Sequence, residues 1–382
     1  MVYNENGETE ALMASFVDIS KQKKTESQLK KYNKELKTKK TEVEKLFKHL
    51  NKEIDMAKEI HERALLKDPN KLTLPEDISI EAHYRPSKQL GGDLYDFIKT
   101  DNKLITYLSY VSGHGLDGTI LSVFVKETIE SYLSLRPHDI SSENIIKHVN
   151  NQYYEDNPGD YFICIFLAVL NLDTYILDYT GIGMQFLPKV KQVNGELNEL
   201  YIEGLPISSA ISDELMNFES DSIKLEPGST LLFHTDGIAE QKIEGKVYEE
   251  RLKKIFDYLG YYPVDFIKHA INMDFKEFND GSLTGDDDIT YVLLQRSRND
   301  IKLFNWELQS SSEDLEEFYN NIKPTLERYV DEKACLQCLY ELIINAMEHG
   351  NKFNPDKKVY IEATVCNDFV VASILDEGKG LS

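Results

Sequence analysis

Four short acidic turns contain the residues best suited to chemistry. Each joins a strand-like run to a glycine or places an aspartate at a strand edge, and one Asp-Gly turn of this kind is ordinary. Asp93, Asp236 and Asp287, however, lie in three well-separated turns. Together they predict convergence on hard cations such as Mg²⁺ or Mn²⁺, a pair of which can hold a hydroxide for attack on a phosphate. The turns are GGDLYDF (91–97), YVSGHGLDG (110–118), HTDGIAE (234–240) and GDDDIT (285–290).

The elements that must position these turns are mostly strands. Alternating and β-branched runs predict strands over about 78–110, and two apolar strands flank a turn at 171–174. Because the order is not a regular βαβ alternation, the predicted fold class is α+β with two layers of sheet. The other predicted elements are strands at 222–225, 230–234 and 289–295 and helices at 118–135, 141–155 and 249–279.

The segment from about Met56 to Leu294 resembles the metal-dependent PPM-type serine/threonine phosphatases of the bacterial stress-response and sporulation branch. The motifs that carry the resemblance, in order, are AKEIHERALL, YRPSKQLGGDLYDF, FHTDGIAE followed by VYEERL, and DDIT. The resemblance implies a β-sandwich flanked by helices over residues 67–297. It also implies a catalytic site with two Mn²⁺ or Mg²⁺ ions. By the same resemblance, Asp93 is a ligand of one metal, Asp236 and Asp287 are ligands of the other, and Val111 offers its carbonyl.

Tyr110 is the main departure from this family, which has D-V-S-G-H-G here with an Asp that bridges both metals. A neutral phenol cannot replace a bridging carboxylate, so reduced metal occupancy is expected. The nearest spare acid, Asp117, is expected to cap the next helix. His114 is expected either to stabilise the turn or to act in catalysis. A second departure is YTGIGMQF (179–186), where relatives carry an N-A-G-H turn; it is expected to bear on substrate docking.

The C-terminal part, about 298–382, has a strand, two helices and two strands in its predicted order. It resembles part of the α/β sandwich of GHKL-type ATPases, specifically the anti-sigma-factor serine kinases. The resemblance implies that Asn345 holds Mg²⁺, that Glu341 is a general base and that Asp376 binds the adenine amino group. No ATP lid follows, so Mg-ATP binding is expected to be weak or absent unless the natural chain continues. The residues that carry the resemblance are Glu341, Asn345, Asp376, Gly378 and Gly380.

Residues 21–66 read as one long helix without Gly or Pro. Apolar residues recur every seven positions, which predicts a parallel coiled-coil homodimer rather than a lone solvated helix. Residues 1–20, ending in SFVDIS, resemble the final strand of a PAS sensor domain. The recurring heptad residues are Leu29, Leu36, Val43, Leu50, Ala57 and Ala64.

Composition and charge exclude several classes of function. A formal charge of −23 argues against nucleic acid or an anionic membrane surface as the partner. No apolar run approaches the length of a membrane span, and the first residues lack a signal-peptide pattern. Cys335 and Cys338 form a CxxC in a predicted helix without a second Cys/His pair, so structural thiols are favoured over a zinc or redox site. We therefore expect a reducing cytoplasm.

These features predict a cytoplasmic signalling protein with a coiled-coil transmitter, a phosphatase and a kinase-like module. By resemblance, the substrate is a phosphoserine or phosphothreonine on an anti-sigma-factor antagonist. One alternative is a pseudophosphatase that acts as a dimeric binding module, because Tyr110 removes the bridging ligand. The other is a sensor histidine kinase with His61 as phosphoacceptor, which the long β-rich insertion after the helix disfavours.

Overall fold

The structure is a computed structural model. Its residues divide into two compact units, 1–57 and 58–382, which are described separately. Within the part of the chain that is described, none of the helices combines the length and apolar character that a membrane crossing needs. The described residues are 2–11, 18–65, 69–87, 91–112, 116–156, 161–192, 195–212, 215–285, 287–327 and 332–378.

The first unit consists of a small hairpin and most of a long helix. Strands β1 (Val2–Tyr3) and β2 (Thr9–Ala11) pair antiparallel, and helix α1 (Ser20–Leu65) is continuous where one long helix is predicted. Its heptad positions Leu36 and Val43 are 65% and 63% exposed in the single chain, so the apolar seam is not used within this unit. Residues 12–17 of the PAS-like stretch 1–20 lie outside the described residues.

The second unit is built around two antiparallel sheets stacked face to face. Strand β6 shows why: its run ICIFLAVL is buried at every position, because the strand is central and both faces of its sheet are covered. One sheet has the order β11-β7-β6-β5-β4, with β10 also on β6; the other is β3-β15-β12-β8-β9. The first contains β4 (Leu94–Lys99), β5 (Lys103–Val111), β6 (Phe162–Asn171), β7 (Ile176–Ile182), β10 (Ile207–Ser208) and β11 (Asp221–Lys224); the second contains β3 (Ile78–Arg85), β8 (Lys189–Lys191), β9 (Leu197–Glu199), β12 (Thr230–His234) and β15 (Ile289–Arg296).

Helices cover the outer face of each sheet, so the core has three layers of apolar side chains. Helices α2 (Leu116–Leu135) and α3 (Ser142–Asp156) pack on the first sheet. Helices α5 (Glu249–Leu259) and α6 (Val264–Phe278) pack on the second, and a third apolar layer lies between the sheets. The short helix α4 (Asp236–Ala239) and the hairpin of β13 (Lys242–Ile243) and β14 (Lys246–Val247) follow β12.

The single helix predicted over 249–279 is wrong in one respect, because it is two helices. Gly260 caps the end of α5, and Pro263 is the N-cap of α6 with an extended backbone (ψ 142°). Proline has no N–H to continue the first helix, whereas it is well tolerated at the start of the next.

The C-terminal part forms a three-stranded antiparallel sheet with two helices on one face. The tip of its β17–β18 hairpin contacts the two-sheet core, because Phe369 stacks on Tyr262 with ring centroids 4.4 Å apart. Arg298, in the segment between β15 and β16, pairs with Asp368 of this tip at 2.5 Å and with Asp300 at 2.8 Å. The elements are β16 (Lys302–Gln309), α7 (Ser312–Leu326), α8 (Glu332–Asn345), a π-helical turn (Ala346–Gly350), β17 (Lys358–Val365) and β18 (Val370–Asp376).

Candidate active site

The predicted site residues lie at one end of the two-sheet core, where strands of both sheets end. Asp93 immediately precedes β4, and Tyr110 is the second-to-last residue of β5 in the same sheet. Asp236 begins α4 directly after β12, and Asp287 lies two residues before β15 in the other sheet. The antiparallel pairing of β12 with β15 keeps the last two turns adjacent.

Asp93 is the most deeply buried of these acids, at 1% exposure. Its Oδ2 accepts hydrogen bonds from the hydroxyls of Thr235 at 2.8 Å and Thr290 at 2.5 Å. Its Oδ1 is also buried and has no hydrogen-bond partner among the described residues. Burial, and then the charge of Asp288, raises the pKa of Asp93 well above its usual range. A buried carboxylate with one unsatisfied oxygen is suited to binding a cation.

Asp236 and Asp287 form a second acidic pair. Burial, followed by the charges of Asp287 and Glu240, raises the pKa of Asp236 to about 6. Asp287 is exposed and accepts a hydrogen bond from the backbone N–H of Asp288 at 2.8 Å. Both acids line an open cavity of about 340 Å³. A divalent cation there would offset the repulsion that raises the pKa of Asp236.

Tyr110 lies within reach of the charges of all three acids. Burial, and then the charges of Asp236, Asp287 and Asp93, raises the pKa of its hydroxyl above the ordinary value near 10. Its half-buried ring lies 6.2 Å from that of Phe162. Tyr110 is therefore a neutral phenol close to three aspartate carboxylates. It cannot supply the negative charge of a bridging ligand.

The donors present fit one divalent cation better than a bridged pair. In the described ranges, no group of three or more His, Cys, Asp or Glu side chains is arranged to hold a metal ion. Mg²⁺ commonly keeps several waters and binds through only one or two carboxylates, and the Asp236–Asp287 pair meets that requirement. By the family resemblance, a two-ion site would use a bridging carboxylate at the position where this chain has Tyr110.

Asp288 is a site residue that the sequence reasoning missed. It is 5% exposed, and its carboxylate accepts hydrogen bonds from the backbone N–H of Ser87 at 2.9 Å and of Gly92 at 2.8 Å. A Cβ at Gly91 would lie 2.0 Å from Asp288 Oδ2, and one at Gly237 would lie 2.0 Å from the Asp288 carbonyl oxygen. Asp288 thus fixes the loop of Asp93 against the turn of Asp236. The signal in the sequence is the DDD run itself, with glycines in both facing turns.

Hydroxyl side chains complete the support of the Asp93 loop. From α2, the Thr119 hydroxyl donates to the Gly91 carbonyl at 3.2 Å, and the Ser122 hydroxyl donates to that of Gly92 at 2.7 Å. These residues, with Thr235 and Thr290, had no distinguishing signal in the sequence beyond their place near the acidic turns. Asp117 is exposed in the first turn of α2 and accepts a hydrogen bond from Tyr161. It therefore lies at the start of a helix and does not join the cluster of Asp93, Asp236 and Asp287.

A buried ionic network lies behind the Asp236 turn. Glu249 of α5 accepts from Lys189 Nζ at 2.7 Å, and its other oxygen lies 3.3 Å from His234 Nε2. Although burial opposes ionisation, His234 and Lys189 lower the pKa of Glu249 to about 2. The VYEERL motif therefore anchors α5 to Lys189 of β8 and to His234, the last residue of β12.

The remaining predicted residues have mixed outcomes. Val111 is the buried last residue of β5, and His114 lies outside the described residues. Glu341 and Asn345 are exposed at the end of α8. Asp376 accepts a hydrogen bond from the Gly378 N–H at 2.7 Å, and a Cβ at Gly350 would lie 2.2 Å from Asp376 Cγ. The structure thus places Asp376 against the turn that follows Asn345. Gly380 also lies outside the described residues.

Comparison with known proteins finds phosphatases and an anti-sigma factor among the relatives of this chain. Phosphoserine phosphatase RsbU of Bacillus subtilis is 23% identical over 249 residues, which is 65% of this chain and 71% of RsbU. The anti-sigma F factor of Heyndrickxia coagulans is 35% identical over 66 residues, 17% of this chain and 43% of that protein. The SiaA-PP2C domain of Pseudomonas aeruginosa matches in structure with a TM-score of 0.56 at 18% identity, over 65% of this chain and 98% of that domain.

The family match covers slightly more than half of the chain. The profile of stage II sporulation protein E (SpoIIE) matches residues 100–297, from the end of β4 to the end of β15. This range contains Tyr110, Asp236 and Asp287, whereas Asp93 lies just before it. The match confirms the predicted family: the chain belongs to the SpoIIE family, and its middle domain is a protein serine/threonine phosphatase domain of the PPM type.

Proposed function

We propose that this chain is a divalent-metal-dependent phosphatase for a regulatory protein phosphorylated on serine or threonine, of the anti-sigma-factor antagonist type, and that Tyr110 limits its rate. The observation that carries the proposal is the cluster of Asp93, Asp236 and Asp287 at one end of the two sheets. Within it, Oδ1 of Asp93 is buried and has no hydrogen-bond partner among the described residues. The relationship to RsbU supports the class of substrate.

The residues divide the work of such a site. Asp236 and Asp287 would hold the cation, with water completing its coordination. When bound, the cation supplies charge stabilisation for the phosphoryl group and lowers the pKa of bound water. Asp93 is held in place by Thr235 and Thr290. The neutral hydroxyl of Tyr110 can donate a hydrogen bond to a phosphoryl oxygen, but it brings no negative charge for a second cation.

The experiment is phosphate release from a serine-phosphorylated peptide with Mn²⁺. We expect slow release by the wild type above the buffer blank, and none after chelation or in Asp236→Asn. Asp178→Asn is the matched control, because it makes the same substitution away from the site. Asp178 accepts a hydrogen bond from the backbone N–H of Ser142, at the start of α3, at 2.6 Å. Equal rates for wild type and blank would contradict slow catalysis by the wild type.

A second candidate function, a phosphoprotein-binding module without turnover, is favoured by the position of Tyr110. The neutral phenol supplies no bridging charge, so a single cation held by Asp236 and Asp287 would bind the phosphate without the bridged pair of ions that turnover needs. This candidate is supported if the wild type matches the blank while Tyr110→Asp turns over.

We also propose that the chain forms a homodimer through α1. Its apolar heptad positions are largely exposed in the single chain, among them Leu29 at 58% and Leu36 at 65%. Sedimentation equilibrium at micromolar concentration should give a dimer, and Leu36→Lys with Val43→Lys should give a monomer. A monomeric wild type would contradict the proposal.

For the C-terminal part we propose an anti-sigma-factor-like module. The similarity to the anti-sigma F factor and the position of Asp376 beside Gly350 support it. Titration calorimetry with Mg-ATP on the wild type and on Asp376→Asn tests whether Asp376 takes part in a nucleotide site. Micromolar binding that Asp376→Asn abolishes would show a complete nucleotide site.

A further inference from the structure

A small cavity with several apolar lining residues adjoins the cluster of acids and is not lined by Asp287. It has a volume of about 160 Å³ and shares Asp236 with the larger acidic cavity. Its walls are the partly exposed side chains of four apolar residues, and Cys164 and Gly183 also line it. The wall residues are Tyr110, Phe162, Met184 and Phe186.

Two of the polar residues along this cavity, His234 and Thr235, are engaged with other groups of the protein. His234 Nδ1 contacts the Thr235 carbonyl at 3.0 Å, and its Nε2 faces Glu249 at 3.3 Å. The Thr235 hydroxyl donates to Asp93. Cys164 is a neutral thiol, because burial raises its pKa to about 12. An occupant therefore finds apolar contacts here and few hydrogen-bond partners.

The loop that forms one wall is held in a fixed shape. Gly183 has φ +66°, and a Cβ there would lie 2.7 Å from Pro206 Cβ and 2.8 Å from Cys164 Sγ, so only glycine fits. The Gln185 side chain donates to Glu240 at 2.6 Å, which ties the loop to the end of α4. This is the loop in which the sequence departs from the N-A-G-H turn of its relatives. The cavity is thus preformed, which lowers the cost of filling it.

We propose that this cavity binds one apolar side chain, of about leucine size, from a residue next to the phosphorylated residue of the substrate protein. The inference rests on the proposed function, since the shared Asp236 places the phosphoryl group and the neighbouring side chain in adjoining cavities. Asp236 lines the cavity, so an acidic neighbour is disfavoured by like charge.

The test is binding of short peptides that carry the non-hydrolysable phosphonate analogue of phosphoserine, measured by fluorescence anisotropy with full-length protein and Mn²⁺. The residue on either side of the phosphonate is Leu, Ala or Asp. We expect the Leu peptide to bind about tenfold more tightly than the Ala peptide, on one side only, and the Asp peptide to bind least. A Leu/Ala ratio below twofold on both sides, or no measurable binding, would overturn the proposal.

Two variants separate the cavity from general effects. Met184→Trp fills the cavity and should reduce the Leu/Ala ratio to near one, whereas Phe186→Ala enlarges it and should shift the preference from Leu to Phe. The control is Met273→Trp on α6, where the methionine is 58% exposed and lines neither cavity; it should keep the wild-type ratio. The Leu/Ala binding ratio is measured without turnover. An inactive wild type would therefore count against the proposed hydrolysis but would not affect the test of the cavity.

Discussion

Replacing Tyr110 by aspartate is expected to raise the rate of Mn²⁺-dependent phosphate release about a hundredfold. A metal ion contributes several kcal/mol of charge stabilisation at a phosphoryl group, and about 2.7 kcal/mol corresponds to this factor. The change adds a carboxylate among Asp93, Asp236 and Asp287, where the donors fit only one cation at present. The measurement is kcat for a serine-phosphorylated peptide at saturating Mn²⁺, together with the number of Mn²⁺ ions bound.

The matched control is Tyr110→Asn, which has the size of aspartate without its charge. If the missing charge limits the rate, the Asn variant stays near the wild type and binds no additional ion. If Asn accelerates release as much as Asp, the bulk of the phenol is the obstacle and the explanation by charge is wrong. Without metal, the Asp variant should unfold at a lower temperature than the Asn variant, because it adds a fourth acid to a repulsive group.

Replacing Asp288 by asparagine is expected to lower the free energy of unfolding by about 2–4 kcal/mol and to weaken Mn²⁺ binding at least tenfold. The carboxylate accepts from Ser87 and Gly92, and bonds to a charged acceptor contribute roughly 1.5–3 kcal/mol each. An amide would turn an N–H₂ toward one of these donors. The substitution also removes the repulsion between Asp288 and Asp93. This gain offsets only part of the loss, because one unfavourable charge interaction is removed while several hydrogen bonds are weakened.

Asp178→Asn again serves as the control, because it removes one carboxylate bond to a backbone N–H away from the site. It should destabilise the protein by about 1 kcal/mol and leave Mn²⁺ affinity unchanged. Chemical denaturation gives the stability, and titration calorimetry gives the affinity. Equal Mn²⁺ affinity in both variants would show that Asp288 stabilises the fold without positioning the site.

Local sequence predicted the longer strands of the core but not the short strands β8, β9 and β10, and it singled out three acids that lie at one end of the sheets. The apolar run of β6 is buried on both faces, so its composition alone indicates a central strand. Asp93, Asp236 and Asp287 stand out because each acid adjoins a glycine or a strand edge. The joint between α5 and α6 was missed because apolar periodicity continues across Gly260–Pro263, although proline there marks a helix start.

The supporting contacts could not be predicted, because they join residues far apart in the chain. Ser87 and Asp288 are 201 residues apart and meet because β3 pairs with β15 in one sheet. Thr290 and Asp93 are 197 residues apart and meet because the two sheets stack. No local pattern in the sequence shows that Asp288 is buried and hydrogen-bonded to the loop of Asp93 whereas Asp287 is exposed. The stacking of Phe369 on Tyr262 is equally invisible in the sequence, since it depends on how the C-terminal sheet meets the core.

The place of Tyr110 among intact acids has a genetic consequence. Tyrosine and aspartate codons differ only in their first base, so one nucleotide change would convert this position to the carboxylate that the family's motif carries. Asp93 keeps its two threonine donors and Asp288 keeps its hold on the loop, so such a change would find the rest of the site assembled. The slow enzyme that we propose and the faster Tyr110→Asp variant would thus be separated by one mutational step rather than by the rebuilding of an active site.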